Sequence, residues 1–584
     1  MSSSSTPTGT HNYDGIDMGE GRLRFPKRIT SSTDEGRAWF ARGWMHIANF
    51  NHLAAVECFN SCTELEPDCA MAWWGIALAV GSNYNSPPGF CSGFDSIQNA
   101  LKTAQTEGSK FSELEIDLIE AMTARSSAES KAAFNPAEMN FGNTPALNLS
   151  YSADAMAKLS KKYPDDLDVT ALYAESLMVL NPWALWVKRG DNPGEIVPAD
   201  GKTLIAKTIL GRAMGLGMEH PIILHLYCHL MELSNDPLAA TAAAEGLRTK
   251  FPHAGHLIHM ASHIDIWGGR YKAALDANIA AIAADNVTLE CTGGDDIEGY
   301  AGYRIHNFHM AVWAAMFTGQ AVIAVETARQ LEDMLPPGDE NSGVQYMAHG
   351  VLPVGAMFYE PYSVVKWHAM IRFGLWDAII AEPLPDSPVI YPTGTATAHY
   401  ARGIAFASKG LIAQAEEEQA KYLEGMNAGI EGRKIHNNFI MSDEAPCLFK
   451  VGEAMLAGEI EYRKGNFDTA FEHLREAVRL DTGLAYDEPW GWMVPTRHAL
   501  GALLLERDHV EEATRVFRAD LTMYPRNMWG LLGLYQCLEK AGVGNDPEAI
   551  EVNKSYESAA SLASAKPRAT CFCAKAAGAV SLTG

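Results

Sequence analysis

The sequence predicts an all-α protein, a solenoid of stacked helical hairpins, and three observations carry that prediction. Small and aromatic residues recur at fixed offsets: after Trp39, Gly43 follows by four, Ala55 by twelve more, Phe59 by four and Pro67 by eight. Strand signals are few, YSADAM and PVIYPTG being short and flanked by turn residues. Histidines gather at helical spacing, with nine of the nineteen lying between His220 and His309.

Composition sets the outer limits. The 584 residues exceed one ordinary core, so several domains or a repeat array are expected. A formal net charge of −25 argues against nucleic acid and against an anionic membrane surface, both of which need a basic face. No apolar run of 18 residues occurs without polar interruption, so no membrane-spanning helix is expected. The N-terminus lacks the basic and apolar regions of a signal peptide, and a cytoplasmic location is the expectation. Residues 1–29 are expected as a flexible tail, 30–554 as the solenoid and 555–584 as an Ala/Ser-rich tail. The ten cysteines show no CxxC pair and are expected as free thiols, with Cys571 and Cys573 forming a CxC near the end.

Taken in order, the offsets repeat along the chain. The spacing from Trp39 resembles that of a tetratricopeptide repeat. In that 34-residue frame Trp holds position 4, a small residue 8, Gly 15, Ala 20 and Pro 32. Pro221 opens a frame with Ala240 and Pro252, and Gly255 one with Ser262, Gly269, Tyr271 and Ala274. Ile305 opens one with Gly319, Ala324 and Pro336, Glu360 one with Gly374, and Ala396 one with Gly403, Gly410 and Ala415. Val451 opens one with Gly458, Gly465 and Ala470, and Val494 one with Gly501, Ala513, Phe517 and Pro525. A hairpin cannot bury its apolar face alone, so neighbours stack, and the resemblance implies a superhelix whose first helices line the inner wall. Stretches 131–150, 285–300 and 337–358 interrupt the frames and are expected as long loops.

The histidines then fall into register. His225, His229 and Glu232 stand at i, i+4, i+7; His256, His259 and His263 at i, i+3, i+7; His306 and His309 at i, i+3. Each set occupies one narrow helix face. In the frames they take positions 5, 9 and 12, then 2, 5 and 9, then 2 and 5. The resemblance implies that these positions face the groove, as do His368, Tyr400, Glu459 and His498 further on, which are the expected substrate contacts. A single histidine on an apolar helix is ordinarily a hydrogen-bonded core residue. Eight polar groups on three faces are different, because packed imidazoles need an ion or a proton network to share. Seven imidazoles against one carboxylate disfavour Mg²⁺ and Ca²⁺ and suit Cu or Fe, with Zn possible. One ion takes three or four protein ligands, so one or two ions fit the set.

There is no HExxH, GxSxG or P-loop. The chain from about residue 37 to 540 resembles a tetratricopeptide-repeat family of bacteria and fungi through WWGIALAVGSNYN, HPIILHLYCHLMEL, GHLIHMASHIDIWGGRY, IHNFHM, HYARGIAFASKG and YDEPWGWMVPTRHALG. That resemblance implies the fold and leaves the reaction open. The expectation is a metal-dependent oxidoreductase acting on a small organic substrate, with Glu232 as ligand or general base. A zinc-type hydrolase and a scaffold binding a peptide or protein partner in a His-lined groove are the alternatives.

Overall fold

A computed structural model describes residues 15–85, 93–106, 108, 110–133, 146–188, 196–216, 219–292, 300–335, 360–385, 388, 391–433, 439–440, 443–485, 487–489, 491–564 and 566–574. It divides into two compact units, Met1–Ile264 with Ala280–Arg304 and Asp265–Ile279 with Ile305–Gly584.

The first unit is a run of helices: α1 (Asp34–Ala48), α2 (His52–Leu65), α3 (Ala70–Val80), α4 (Phe94–Ala104), α5 (Glu113–Arg125), α6 (Ala128–Ala133), α7 (Ala146–Lys162), α8 (Leu167–Met178), α9 (Gly201–Leu216), α10 (Pro221–Glu232) and α11 (Thr241–Lys250). Helices α12 (Gly255–Trp267), α13 (Tyr271–Cys291) and α14 (Ala301–Phe317) each run from one unit's residues into the other's. The second unit continues with α15 (Ala321–Asp333), α16 (Val365–Arg372), α17 (Trp376–Ala381), α18 (Pro392–Ser408), α19 (Ile412–Arg433), α20 (Ala445–Lys464), α21 (Phe467–Thr482), α22 (Thr496–Glu506), α23 (Val510–Met523), α24 (Met528–Lys540) and α25 (Pro547–Ala560). Helices pack on the next in sequence and on the next but one, as α1 does on α2 and α3 and α22 on α23 and α24. That is the connectivity of a helical-hairpin solenoid.

The same device closes hairpins in both units. The ring of Phe59 lies on Gly43 and Gly75, and a Cβ at either glycine would come within 3 Å of it. Phe517 lies in the same way on Gly501 and Gly533. Each ring is flanked by a glycine sixteen residues away on either side. Position 15 of the frame is the left-handed turn between the paired helices. Gly269, Gly319, Gly374, Gly410 and Gly465 fill it with φ between +62° and +87°.

Several expected features differ. Of the expected N-terminal tail, residues 15–29 are packed: Met18, Leu23 and Phe25 are buried along a stretch with two 3-10 turns, and the Phe25 ring meets Phe40, Trp44 and Trp74. The polar composition of this stretch hides a few apolar anchors at wide spacing. The C-terminal stretch is held down as well. Phe572 and Cys573 are buried, and the Arg372 guanidinium donates to the Thr570 carbonyl at 2.5 Å. Cys571 and Cys573 are joined by a disulfide, where free thiols were expected. Residues 285–291, expected in a loop, are the last turns of α13. YSADAM lies inside α7, and Pro392 of PVIYPTG is the first residue of α18. Among the described residues the strands are short antiparallel pairs, β1 (Trp186–Lys188) with β2 (Ile196–Pro198) and β3 (Phe439–Ile440) with β4 (Asp443–Glu444). The expected loop 337–358 lies outside the described residues.

Candidate metal centre

Helix α10 is started by Pro221 at its first position and by the His220 ring, whose Nδ1 accepts from the Ile223 N–H at 3.3 Å. The Nε2–H of that ring donates to Asp168 at 3.0 Å, which ties the helix start to α8. At its far end the Trp186 indole donates to the Leu230 carbonyl at 2.6 Å. A helix fixed at both ends carries His225, His229 and Glu232 in a stack, all at most 1% exposed.

Helix α12 begins with a different kind of cap. Its first amides have no intrahelical acceptor. The His256 N–H donates to the Tyr300 hydroxyl at 3.3 Å and the Leu257 N–H to Asn49 Oδ1 at 3.1 Å. Asn49 also donates to the Tyr300 oxygen at 3.0 Å, and that hydroxyl donates to Asp285 Oδ1 at 3.0 Å. Burial and then Asp285 push the Tyr300 phenol well above its ordinary range, so it stays a donor. Gly255 is required here, since a Cβ would strike the Asp285 carboxylate.

The two helices bring five imidazoles into one contiguous buried cluster. Ring centroids are 5.0 Å apart for His225 and His229, 4.9 Å for His225 and His256, 5.6 Å for His256 and His259, and 4.8 Å for His259 and His263. One nitrogen each of His225, His229 and His256 lies within 4.8 Å of the others.

The tautomers follow from the partners. His225 Nδ1 sits 2.7 Å from the Ala48 carbonyl, which only accepts, so Nδ1 carries the hydrogen and Nε2 a lone pair. His229 Nδ1 lies 2.8 Å from Glu232 Oε1, and His263 Nδ1 lies 2.5 Å from Glu232 Oε2. Burial would raise the Glu232 carboxyl, but His263 and His229 override it and hold the group well below the usual carboxylate range. Both its oxygens thus accept ring N–H groups. Burial depresses His225 and His229 as well, so both rings are neutral. Their Nε2 atoms are buried and have no hydrogen-bond partner among the described residues. A neutral imidazole whose Nδ1–H is fixed by a carbonyl or carboxylate and whose Nε2 is open has the form of a metal ligand with its supporting shell.

Aromatic rings enclose the cluster. Phe50 stands 4.2 Å from His225, Tyr303 4.5 Å from His256 and Tyr84 5.0 Å from His229, centroid to centroid. Sequence reasoning did not single these out, nor Asn49, Asp285 or Tyr300. One signal was present. Phe50 occupies position 15 of the first frame, the slot that other frames give to glycine, and it sits there at φ +54°. A left-handed bulky residue marks a strained position, and such positions concentrate at functional sites.

The other expected residues stand in the second unit. His306 Nε2 lies 3.8 Å from Glu488 Oε2, and the buried His309 ring meets Tyr362 edge-on at 5.3 Å. His368, Tyr400, Glu459 and His498 are all buried. His368 and Tyr400 pack on Trp492, and Glu459 pairs with Arg463 at 2.6 Å. His498 Nε2–H donates to Asp520 at 3.1 Å while its Nδ1 accepts from Arg372 at 2.9 Å.

Comparisons with known proteins bear on the scaffold. Residues 36–69 match the tetratricopeptide repeat. No curated protein matches the chain. Among solved structures, the human IFIT1 dimer with m7Gppp-AAAA is 13% identical over 94% of each chain, at a TM-score of 0.29. Yeast Tom70 is 13% identical over 90% of this chain and 93% of its own, at 0.24. Cut9 in the APC/C hetero-tetramer Cut9-Hcn1 is 12% identical over 90% and 94%, at 0.26. Scores this low say nothing about a site. With the repeat matched at 36–69, its Gly–Phe–Gly packing repeated in both units and left-handed glycines at the repeat's turn, the chain has the fold of a tetratricopeptide-like helical-hairpin solenoid.

Proposed function

We propose that this chain is a tetratricopeptide-repeat scaffold that holds a transition-metal ion through His225, His229 and His256. The observation that carries the reading is the pair of buried Nε2 atoms on His225 and His229. Their rings are locked by Ala48 and Glu232, and neither Nε2 has a hydrogen-bond partner among the described residues. Leaving two such acceptors dry costs about 1–3 kcal/mol each, a cost that an ion removes. The all-nitrogen donor set suits Cu or Fe, with Zn possible. Such an ion supplies redox or Lewis-acid chemistry when bound, which supports an oxidoreductase acting on a small organic substrate in the enclosed aromatic surround. Glu232 is then a positioning residue: its two oxygens orient the His229 and His263 rings by accepting from their Nδ1–H groups.

A second reading is a scaffold that binds a protein partner, and the repeat match at 36–69 favours it. Metal analysis of the full-length chain, produced with Fe, Cu and Zn supplied, separates the two. The expected content is at least one ion per chain. A content below ~0.2 ion, far under one per four-ligand site, leaves the scaffold reading alone. Replacing His225 and His229 together by Ala is expected to abolish uptake at that site with helicity retained.

A further inference from the structure

We infer that the centre is built for two ions, the second held by His259 and His263, with Glu232 joining the two sites; this rests on the metal reading above. Five imidazoles are more than one ion takes from a protein. The geometry divides them. His225, His229 and His256 form one convergent set. His259 and His263, one helical turn apart on α12, aim their Nε2 atoms at each other at 2.8 Å.

That separation has a specific meaning. Two ring nitrogens this close leave room for only one hydrogen between them, so one donates and the other offers a lone pair. The two nitrogens thus converge on one shared proton, in a fully buried place with a 2.8 Å edge. Two nitrogens at ~2.0–2.1 Å from a common ion span about that edge when their bonds are near a right angle. The proton stands where a cation fits, and an ion entering releases it.

Glu232 makes the two sites one system. Its Oε1 accepts from His229, a member of the first set, and its Oε2 from His263, a member of the second. One carboxylate thus orients a ligand ring on each side and places its negative charge between two cations. Nitrogen donors, a single carboxylate and an aromatic surround fit copper better than harder ions.

The test is copper stoichiometry on the full-length chain, with Cu as the probe, read by elemental analysis and by spin-integrated electron paramagnetic resonance. Wild type is expected to hold two copper ions. When oxidised, it should give less resonance signal than its copper content, because neighbouring Cu(II) spins couple. His259→Ala with His263→Ala is expected to hold one ion whose signal accounts for all the copper. His225→Ala with His229→Ala is expected to retain one ion as well. Glu232→Gln keeps shape and one acceptor, and is expected to weaken both sites by roughly 10–100-fold. A wild type that saturates at one ion overturns the two-ion inference and leaves the metal reading standing. Two ions that survive the His259/His263 change overturn the ligand assignment. A wild type that takes up no copper, iron or zinc removes both. The wild-type count decides the matter even where a double variant fails to fold.

Discussion

At the scale of single residues, Phe50 shows what the site asks of the backbone. A left-handed conformation costs a bulky residue about 1–2 kcal/mol over glycine. The Phe50 ring recovers this by covering His225, His229 and His256. Phe50→Gly is expected to lower stability by about 2 kcal/mol, since a lost buried ring costs about 3–5 kcal/mol and relieved strain returns part of it. Phe50→Ala loses the ring and keeps the strain, so urea unfolding should find it about 1 kcal/mol weaker than Phe50→Gly. Equal stabilities would show that no strain is held there.

Asp481 gives a pH signature of its own. It caps α22 by accepting from the Thr496 N–H and hydroxyl at 3.2 and 2.8 Å, and burial lifts its carboxyl to about 6. The folded state therefore keeps a proton that the unfolded chain releases near pH 4. Its contribution to stability falls as pH rises from about 4 to about 6, by at most about 3 kcal/mol. Asp481→Asn removes that slope while keeping an acceptor for the cap. Urea midpoints of the two proteins should converge at pH 4 and separate by pH 7 in favour of the variant. Curves that stay parallel over this range would rule the shift out.

Among the helices, the start of α12 decides where three of the five clustered histidines stand. The cap made by Asn49 and Tyr300 reaches α12 from distant segments of sequence, so no local motif announces it. This is why the histidine faces were legible and their support was not. His225, His229, Glu232, His256, His259 and His263 could be read from 3.6-residue spacing on apolar helices. The Ala48 carbonyl that sets the His225 tautomer is a backbone group and leaves no mark in a sequence. The packed stretch at 15–29 was hidden for another reason: its anchors Met18, Leu23 and Phe25 follow no period. Tyr300→Phe removes one hydroxyl and leaves the Asp285 carboxylate, an Asn49 donor and the His256 amide short of a partner. The expected cost is about 2–4 kcal/mol of stability and a roughly tenfold loss of metal affinity, measured by competition with a chromophoric chelator. Stability lost with affinity unchanged would show that the cap holds the fold and not the ligands.

Over the whole chain, the repeat was readable because its constraints are local and recur: a small residue under a ring, a left-handed turn, an apolar stripe. Phe59 on Gly43 and Gly75, and Phe517 on Gly501 and Gly533, are two copies of one such constraint. In an array where each hairpin leans on its neighbours, stability is a sum of nearest-neighbour terms. Damage at one ring should then spread only a short way along its own unit. Phe517→Ala leaves a void between α22 and α24, at an expected cost of about 3–5 kcal/mol. Amide hydrogen exchange should accelerate most in α22, α23 and α24 and progressively less in α21, α20 and α18 of the same unit. Phe59→Ala should do the same from α1, α2 and α3 toward α5 and α8. A uniform acceleration throughout the substituted unit would show that it melts as one cooperative body, and the nearest-neighbour account of this fold would then be wrong.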